Sequence, residues 1–278
     1  MAVPGLADLI GQFADTLPTL LTTVRTAAQI SADIGAHLRI LSGPTALSAP
    51  TNTTRPPARR LEMVRLRTAD VTAIRRRHGG TTHDVLLTLL AGALHTWLDS
   101  HGQSAHRNIR ALVPVAQHTR ARDANTGNRL SGYLCTLPVA EPDPLHRLRL
   151  VRTEMDRNKA AGPHRGPGAF PVVAGLFPHA VHHVVTPLLA AQVNRLFDLV
   201  ATAVRLPARL PGLGGTPVSE IYPLAPLAPG YALAVAFTHD PRHVHITLTT
   251  DPHALDGVDK LTEALHSGLT ELLHATTS

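Results

Sequence analysis

The sequence predicts an α/β or α+β domain in which helices cover a mixed β-sheet. Segments with period-two apolar spacing alternate with segments whose apolar residues recur at helical spacing, and the chain closes with a run of strand-like segments. Apolar residues make up 44% of the 278 residues and charged residues only 17%, so the chain can bury a core. Wholesale disorder is therefore excluded.

The chain divides into three predicted parts. Residues 1–41 form N-terminal helices, because Leu6, Leu9, Ile10 and Phe13 begin a helical apolar repeat that needs another surface to cover it. Residues 42–57 are rich in Pro, Ser and Thr and form a linker. Residues 58–278 form the main domain.

The main domain begins with alternating strands and helices. Residues 61–67 alternate apolar and polar side chains, as a strand does, and residues 68–77 follow as a short helix with Thr68 and Asp70 as capping candidates. Apolar residues three and four apart predict a long helix over 82–100 and another over 143–160. Two strands, 108–116 and 130–139, separate these helices.

Further predicted elements complete the domain. Residues 162–168 are a Gly- and Pro-rich loop, and the segment to about residue 196 is a helix interrupted by prolines. Four strands and a closing helix follow, at residues 199–205, 217–222, 231–238 and 244–250 and at residues 256–274.

Charge and cysteine content limit the classes of partner. The net charge of +6 comes almost wholly from scattered arginines, which suits a weak preference for anionic surfaces but gives no DNA-reading element. Cys135 is the single cysteine, so no internal disulfide forms and a reducing compartment is expected. Asp8 and Asp15 argue against a signal peptide. We predict a cytoplasmic protein able to lie on a lipid surface.

Three groups of residues are candidates for chemistry. His179, His182 and His183 have a spacing that could bind a metal on a helix, but no acidic or cysteine partner accompanies them, and a polar helix face is the favoured interpretation. His253 and Asp256 could orient a general base, although Asp256 is better explained as a helix cap.

His83 and Asp84 open the long helix after two glycines and two threonines. Negative charge at this end is favoured by the helix dipole, which is one explanation for Asp84. The alternative is that the pair faces a substrate channel.

Four stretches, taken in order, carry a family resemblance. They are SGPTALSAPTNTTRP at 42–56, THDVLLTLLAGALHTWLDSHG at 82–102, the two blocks IRALVPVAQHTR and GNRLSGYLCTLPVAEPDPLHRLRLVRTEMDRNK within 109–159, and the closing segment 197–252. Together they resemble the C-terminal half of the bacterial wax ester synthase/diacylglycerol acyltransferase family, which lies in the CoA-dependent acyltransferase superfamily. The resemblance implies one lobe of a two-lobed fold whose lobes meet around a channel for acyl-CoA and acceptor.

The resemblance also implies site residues and a function. Asp84, Gly127 and Asn128 are the expected substrate-binding residues, and Asp84 and Asn128 should meet at one rim of the sheet. The implied activity is acyl-CoA-dependent O-acyl transfer to diacylglycerol or a long-chain alcohol, giving triacylglycerol or wax ester, with acyl-CoA as a substrate and no cofactor.

Several departures from the family pattern qualify this expectation. The family's H-H-x-x-x-D-G motif, whose second His is the general base, does not occur in the 278 residues, and His83 stands where the family has Asn. We therefore assign no catalytic residue and no metal site. The chain is expected to be inactive without a separate N-terminal acyltransferase lobe, at a membrane or lipid-droplet surface. The alternatives are a non-catalytic lipid- or acyl-CoA-binding or docking module, and a repurposed enzyme that uses its own histidines.

Overall fold

Strands and helices alternate along the described part of the chain, as the sequence predicts. The computed structural model describes residues 59–102, 109–116, 130–161, 197–206, 212, 214, 216–227 and 230–277. The elements in chain order are β1 (Arg60–Arg67), α1 (Thr68–His78), α2 (Thr82–Ser100), β2 (Ile109–Ala116), β3 (Leu130–Leu137), α3 (Pro144–Ala161), β4 (Leu199–Ala203), β5 (Leu233–His239), β6 (His243–Thr250) and α4 (Val258–Thr277).

The six strands form one mixed sheet in the order β1-β6-β5-β4-β2-β3. Strand β6 pairs antiparallel with β1 and β5, and β2 pairs antiparallel with β3. Strand β4 lies parallel to both of its neighbours, β2 and β5. This arrangement confirms the predicted mixed sheet.

The helices cover one face of the sheet. Every second strand residue points to this face, and many of these residues are buried in a single apolar cluster with residues of all four helices. Examples are Val64, Leu66, Phe237 and Ile246. Helix α2 lies at the centre of that cluster, in contact with α3 and α4, and most of its 19 residues are buried. The core is therefore built around α2.

The opposite face of the sheet carries a second, smaller cluster. Ala234 and Ala236 of β5 are buried there together with Ala225 and Leu227 from the segment before β5. The predicted strand at 217–222 is wrong, because these residues form no regular secondary structure. Pro223 and Pro226 follow this segment and lack the N–H group that a strand ladder needs, so strand pairing cannot be extended beyond residue 222.

The helix bounds agree with the sequence prediction, but one predicted cap does not form. Strand β1 runs directly into α1, so Thr68 is already the first helical residue and the N-cap position is Arg67, which makes no side-chain cap bond. The Thr68 hydroxyl donates instead to the carbonyl of Asp240. Asp70 lies 3.9 Å from the Arg67 guanidinium.

Some predictions lie outside the described residues. These are the helices at 1–41, the linker at 42–57, the segment 162–196 with its three histidines, and Gly127 and Asn128. Among the helices that are described, none combines the length and the apolar character that crossing a bilayer requires.

The burial of α2 yields a stability prediction. Leu90 is fully buried, whereas Leu224 is 59% exposed in the segment before β5. We expect Leu90→Ala to lower the free energy of unfolding by about 2–5 kcal/mol, because it leaves a cavity in the core. Leu224→Ala is the matched control and should change that energy by less than about 0.5 kcal/mol. Urea denaturation followed by circular dichroism measures both, and equal losses would contradict the central position of α2.

Candidate functional site

The start of α2 is fixed by two glycines and a reciprocal cap. Gly79 and Gly80 link α1 to α2 with φ angles of 76° and 81°, in the region that favours glycine. The Thr81 hydroxyl then accepts the Asp84 N–H at 3.2 Å, and the Asp84 carboxylate Oδ2 accepts the Thr81 N–H at 2.7 Å. This capping box satisfies the N–H groups of Thr81 and Asp84 at the helix start and sets the position of Asp84.

Asp84 uses only one of its two carboxylate oxygens in this cap. The residue is 1% exposed, and its Oδ2 lies 4.0 Å from the ammonium group of Lys159 on α3. Its Oδ1 is buried and has no hydrogen-bond partner among the described residues. Because buried carboxylate oxygens are normally hydrogen-bonded, Oδ1 is available to accept a bond from a bound molecule.

His83 offers a second pair of unused polar atoms beside Asp84. Its ring meets the edge of Phe237 at 5.7 Å between centroids. Both ring nitrogens are shielded from solvent, and neither has a hydrogen-bond partner in the part of the chain that the structure describes. Burial lowers the pKa of His83 to about 4, although the neighbouring Asp84 carboxylate acts in the opposite direction.

These properties define what the α2 site, made of His83 and Asp84, can do. At neutral pH the imidazole is uncharged, so one ring nitrogen donates a hydrogen bond and the other accepts one. A histidine with so low a pKa is a weak base, which makes it better suited to orienting a polar group than to removing a proton. The α2 site can therefore hold a hydroxyl or carbonyl group.

The structure separates the other sequence candidates. The Asp256 carboxylate accepts the N–H of Gly257, which precedes Val258, the first residue of α4, so this bond is not the helix cap predicted for Asp256. The His253 N–H donates to the Asp251 carboxylate, and no His253–Asp256 bond occurs within the described ranges. Burial raises the pKa of the Cys135 thiol to about 12, so it is not a reactive nucleophile. The proposed meeting of Asp84 with Asn128 stays a prediction.

Two features escaped the sequence analysis. Lys159 of α3 approaches Asp84, a contact between helices that no local pattern records. Asp240, His243 and His245 form a cluster of metal-binding side chains in the β5–β6 hairpin. The available signal for that cluster was the His-x-His spacing, which places two imidazoles on one face of a strand.

With this geometry in place, comparison with known proteins identifies the family. Residues 126–273, more than half of the chain, match the sequence model of the WS/DGAT C-terminal domain. The chain belongs to the WS/DGAT C-terminal domain family. The family resemblance predicted from the sequence is thereby confirmed.

Several curated relatives of this WS/DGAT C-terminal domain are mycobacterial proteins. A Mycobacterium tuberculosis protein named "Probable diacyglycerol O-acyltransferase tgs1" is 26% identical over 216 residues, which cover 77% of this chain and 47% of the relative. Another from the same species, named "Probable diacyglycerol O-acyltransferase Tgs4", is 26% identical over 222 residues, covering 80% and 46%. The chain thus spans about half the length of the curated relatives it matches.

Solved structures show the same fold. The wax ester synthase/diacylglycerol acyltransferase from Marinobacter aquaeolei VT8 superposes with a TM-score of 0.65 at 20% identity, covering 92% of this chain and 58% of that one. The cyclization-docking bidomain of EpoB from Sorangium cellulosum superposes with a TM-score of 0.55 at 17% identity, covering 91% and 48%. The predicted acyltransferase-type lobe is therefore the fold of this chain.

The buried, neutral state of His83 predicts a pH-dependent stability. Its pKa is about 4 in the folded chain and 6.5 in the unfolded chain, so the unfolded state takes up the proton first as the pH falls. Above pH 6.5 His83 is neutral in both states and the free energy of unfolding is at its full value. That free energy then decreases as the pH falls from 6.5 to 4. We expect this loss to be roughly 2–3 kcal/mol.

The variant His83→Asn isolates that effect. Relative to wild type, the variant should gain stability as the pH is lowered from 6.5 toward 4, measured by urea denaturation at each pH. His253→Asn, at an exposed position, is the control for the substitution itself. A stability difference between wild type and His83→Asn that does not change with pH would show that His83 is not held neutral.

Proposed function

We propose that this chain is the C-terminal half of an acyl-CoA-dependent O-acyltransferase whose acceptor is diacylglycerol or a long-chain alcohol. Membership of the WS/DGAT C-terminal family supports the reaction class. The observation that carries the proposal is the α2 site, where a buried carboxylate oxygen and two imidazole nitrogens have no partner among the described residues. Such atoms are suited to positioning a substrate hydroxyl or thioester carbonyl.

The general base comes from a separate lobe in this proposal. No H-H-x-x-x-D-G motif occurs in the 278 residues, and the chain spans only about half of its curated relatives. Neither candidate in the described part replaces the base, because His83 has too low a pKa and Cys135 too high a pKa to act at neutral pH.

The proposed reaction divides the work between the two lobes. The His of the other lobe removes the proton from the acceptor hydroxyl, and the hydroxyl oxygen attacks the thioester carbonyl of acyl-CoA. The carbon–sulfur bond breaks, CoA leaves as the thiol after taking up the proton, and the ester is released. Asp84 and His83 act as positioning residues near one of the reacting groups.

Partners and location follow from this proposal. The chain binds acyl-CoA and a lipid acceptor, docks to the lobe that carries the base, and works in the cytoplasm at a membrane or lipid-droplet surface. Its net charge of +6 supports attraction to an anionic surface. No nucleic acid is involved.

A second function, that of a non-catalytic module for binding acyl-CoA or docking a partner, also has support. Neither His83 nor Cys135 has the surroundings of an activated base or nucleophile, because burial lowers the pKa of His83 to about 4 and raises that of Cys135 to about 12. In that case the α2 site would bind a ligand without turnover.

We predict that the purified chain forms no ester from palmitoyl-CoA and an alcohol or diacylglycerol on its own. Adding a separately encoded lobe with the H-H-x-x-x-D-G motif, sought first in the neighbouring reading frame, should produce ester, detected with labelled palmitoyl-CoA. Replacing the second His of that lobe by Ala is the negative control. Ester formation by the chain alone would overturn the two-lobe proposal, whereas binding of palmitoyl-CoA without turnover in any mixture would favour the non-catalytic module.

In the active mixture, Asp84→Asn tests the α2 site. The substitution keeps the shape of the side chain but removes its charge, and we expect the rate to fall by about tenfold, as for the loss of a charge-assisted hydrogen bond. Asp99→Asn, at the exposed far end of the same helix, is the matched control and should leave the rate unchanged. Equal rates for the two variants would exclude Asp84 from the reaction.

A further inference from the structure

The β5–β6 hairpin carries a cluster of metal-binding side chains on the sheet face away from the helices. Strand residues alternate between faces, so His243 and His245 project to the same side of β6, opposite to the buried Ile246. Asp240 lies in the turn that joins β5 to β6. The cluster is therefore on the opposite side of the sheet from His83 and Asp84.

The Asp240 carboxylate is held in place by the turn. One oxygen, Oδ1, accepts the N–H groups of Arg242 at 2.6 Å and His243 at 2.7 Å. The other oxygen, Oδ2, lies 3.0 Å from Nε2 of His245. Because the backbone bonds use Oδ1, the second oxygen points toward the two histidines in a fixed position.

The two imidazoles complete a set of three ligand atoms. One atom from each of Asp240, His243 and His245 lies within 4.8 Å of the other two. His245 is fully buried, with its ring packed against the edge of Tyr222 at 4.7 Å between centroids. Its Nδ1 has no hydrogen-bond partner among the residues that the structure describes, so this buried ring is not fully explained by packing.

From this arrangement we propose that Asp240, His243 and His245 bind a divalent transition-metal ion of the Zn²⁺ type. Two imidazole nitrogens and one carboxylate oxygen form the ligand set that Zn²⁺ accepts, whereas Ca²⁺ and Mg²⁺ prefer oxygen alone. Three protein ligands leave the fourth tetrahedral position for water or another small ligand.

The distances suit this ion after a small movement. Bonds of about 2.0–2.1 Å to a tetrahedral ion place ligand atoms roughly 3.3–3.5 Å apart. The pair Asp240 Oδ2 and His245 Nε2, at 3.0 Å, is already close to that separation. His243 is only half-buried, so rotation of its side chain closes the remaining distance.

The charges around the cluster are balanced. Arg65 of β1 is the register partner of His245, and its guanidinium pairs with the Glu220 carboxylate. Glu220 also accepts the Tyr222 hydroxyl at 3.2 Å. Arg67, the register partner of His243, lies 3.9 Å from the Asp70 carboxylate. Both arginines that pair in register with a ligand therefore have a carboxylate nearby, which lowers the repulsion of an approaching divalent cation.

A competing explanation needs no ion. In that case Asp240 serves only as a turn residue whose carboxylate also accepts a hydrogen bond from the His245 ring. The histidines at 179, 182 and 183, which the sequence offers as a metal trio, could then account for any metal bound by the chain.

Titration of the full chain with Zn²⁺ distinguishes these explanations. The metal-free protein, prepared with a chelator and dialysed, is titrated with ZnCl₂ by isothermal calorimetry, and with Co²⁺ followed by visible absorption. We expect tight binding of one ion and the d–d bands of four-coordinate Co²⁺. His243→Gln and Asp240→Asn should each weaken binding at least tenfold, since the loss of even an outer-shell partner costs about 10–100-fold.

Two controls make the result decisive. His239→Gln alters an exposed histidine at the end of β5 and should leave the affinity unchanged. The triple variant His179→Gln, His182→Gln, His183→Gln should also retain the site. Absence of binding in the wild type, or loss of binding in the triple variant but not in His243→Gln and Asp240→Asn, would overturn the proposal. Melting curves verify that every variant is folded. If a ligand variant unfolds, the wild-type Co²⁺ spectrum tests the proposal instead, because the d–d bands of four-coordinate Co²⁺ support the site and their absence contradicts it.

Discussion

The burial of α2 is the constraint on which the rest of the structure depends. A helix that is apolar around most of its circumference must be covered on every side, and here α3, α4 and the sheet provide that cover. Of residues 81–84 at its start, only Asp84 is buried, while Thr81 is exposed. The Thr81–Asp84 capping box supplies hydrogen-bond partners for two N–H groups at this helix end.

That constraint also places polar groups in an apolar interior. The capping role of Asp84 occupies one carboxylate oxygen, and the other has no hydrogen-bond partner among the described residues. Burial lowers the pKa of His83 to about 4, so its ring is neutral at neutral pH. A neutral imidazole offers one hydrogen-bond donor and one acceptor.

Local periodicity was enough to predict most of the fold, and its failures have physical causes. The spacing of apolar residues over 82–100 matched the bounds of α2, because a long buried helix has a strong repeat. Residues 217–222 also suggested a strand, but a ladder needs N–H groups and a neighbouring strand, which alternation cannot report. The Lys159–Asp84 contact and the Asp240 cluster depend on which elements meet, and so could not be found from spacing alone. Gly127 and Asn128 remain sequence predictions.

The pairing of β1 with β6 has a consequence for how the chain reaches its native state. The Thr250 hydroxyl donates to the Arg60 carbonyl across 190 residues of sequence, and β6 separates β1 from every other strand of the sheet. During synthesis, β1 emerges from the ribosome long before the strand that pairs with it, so the sheet cannot be completed until nearly all of the domain has been translated. Such distant contacts slow folding, and in the interval the unpaired strand, with its apolar residues Val64 and Leu66 uncovered, is open to aggregation or chaperone binding.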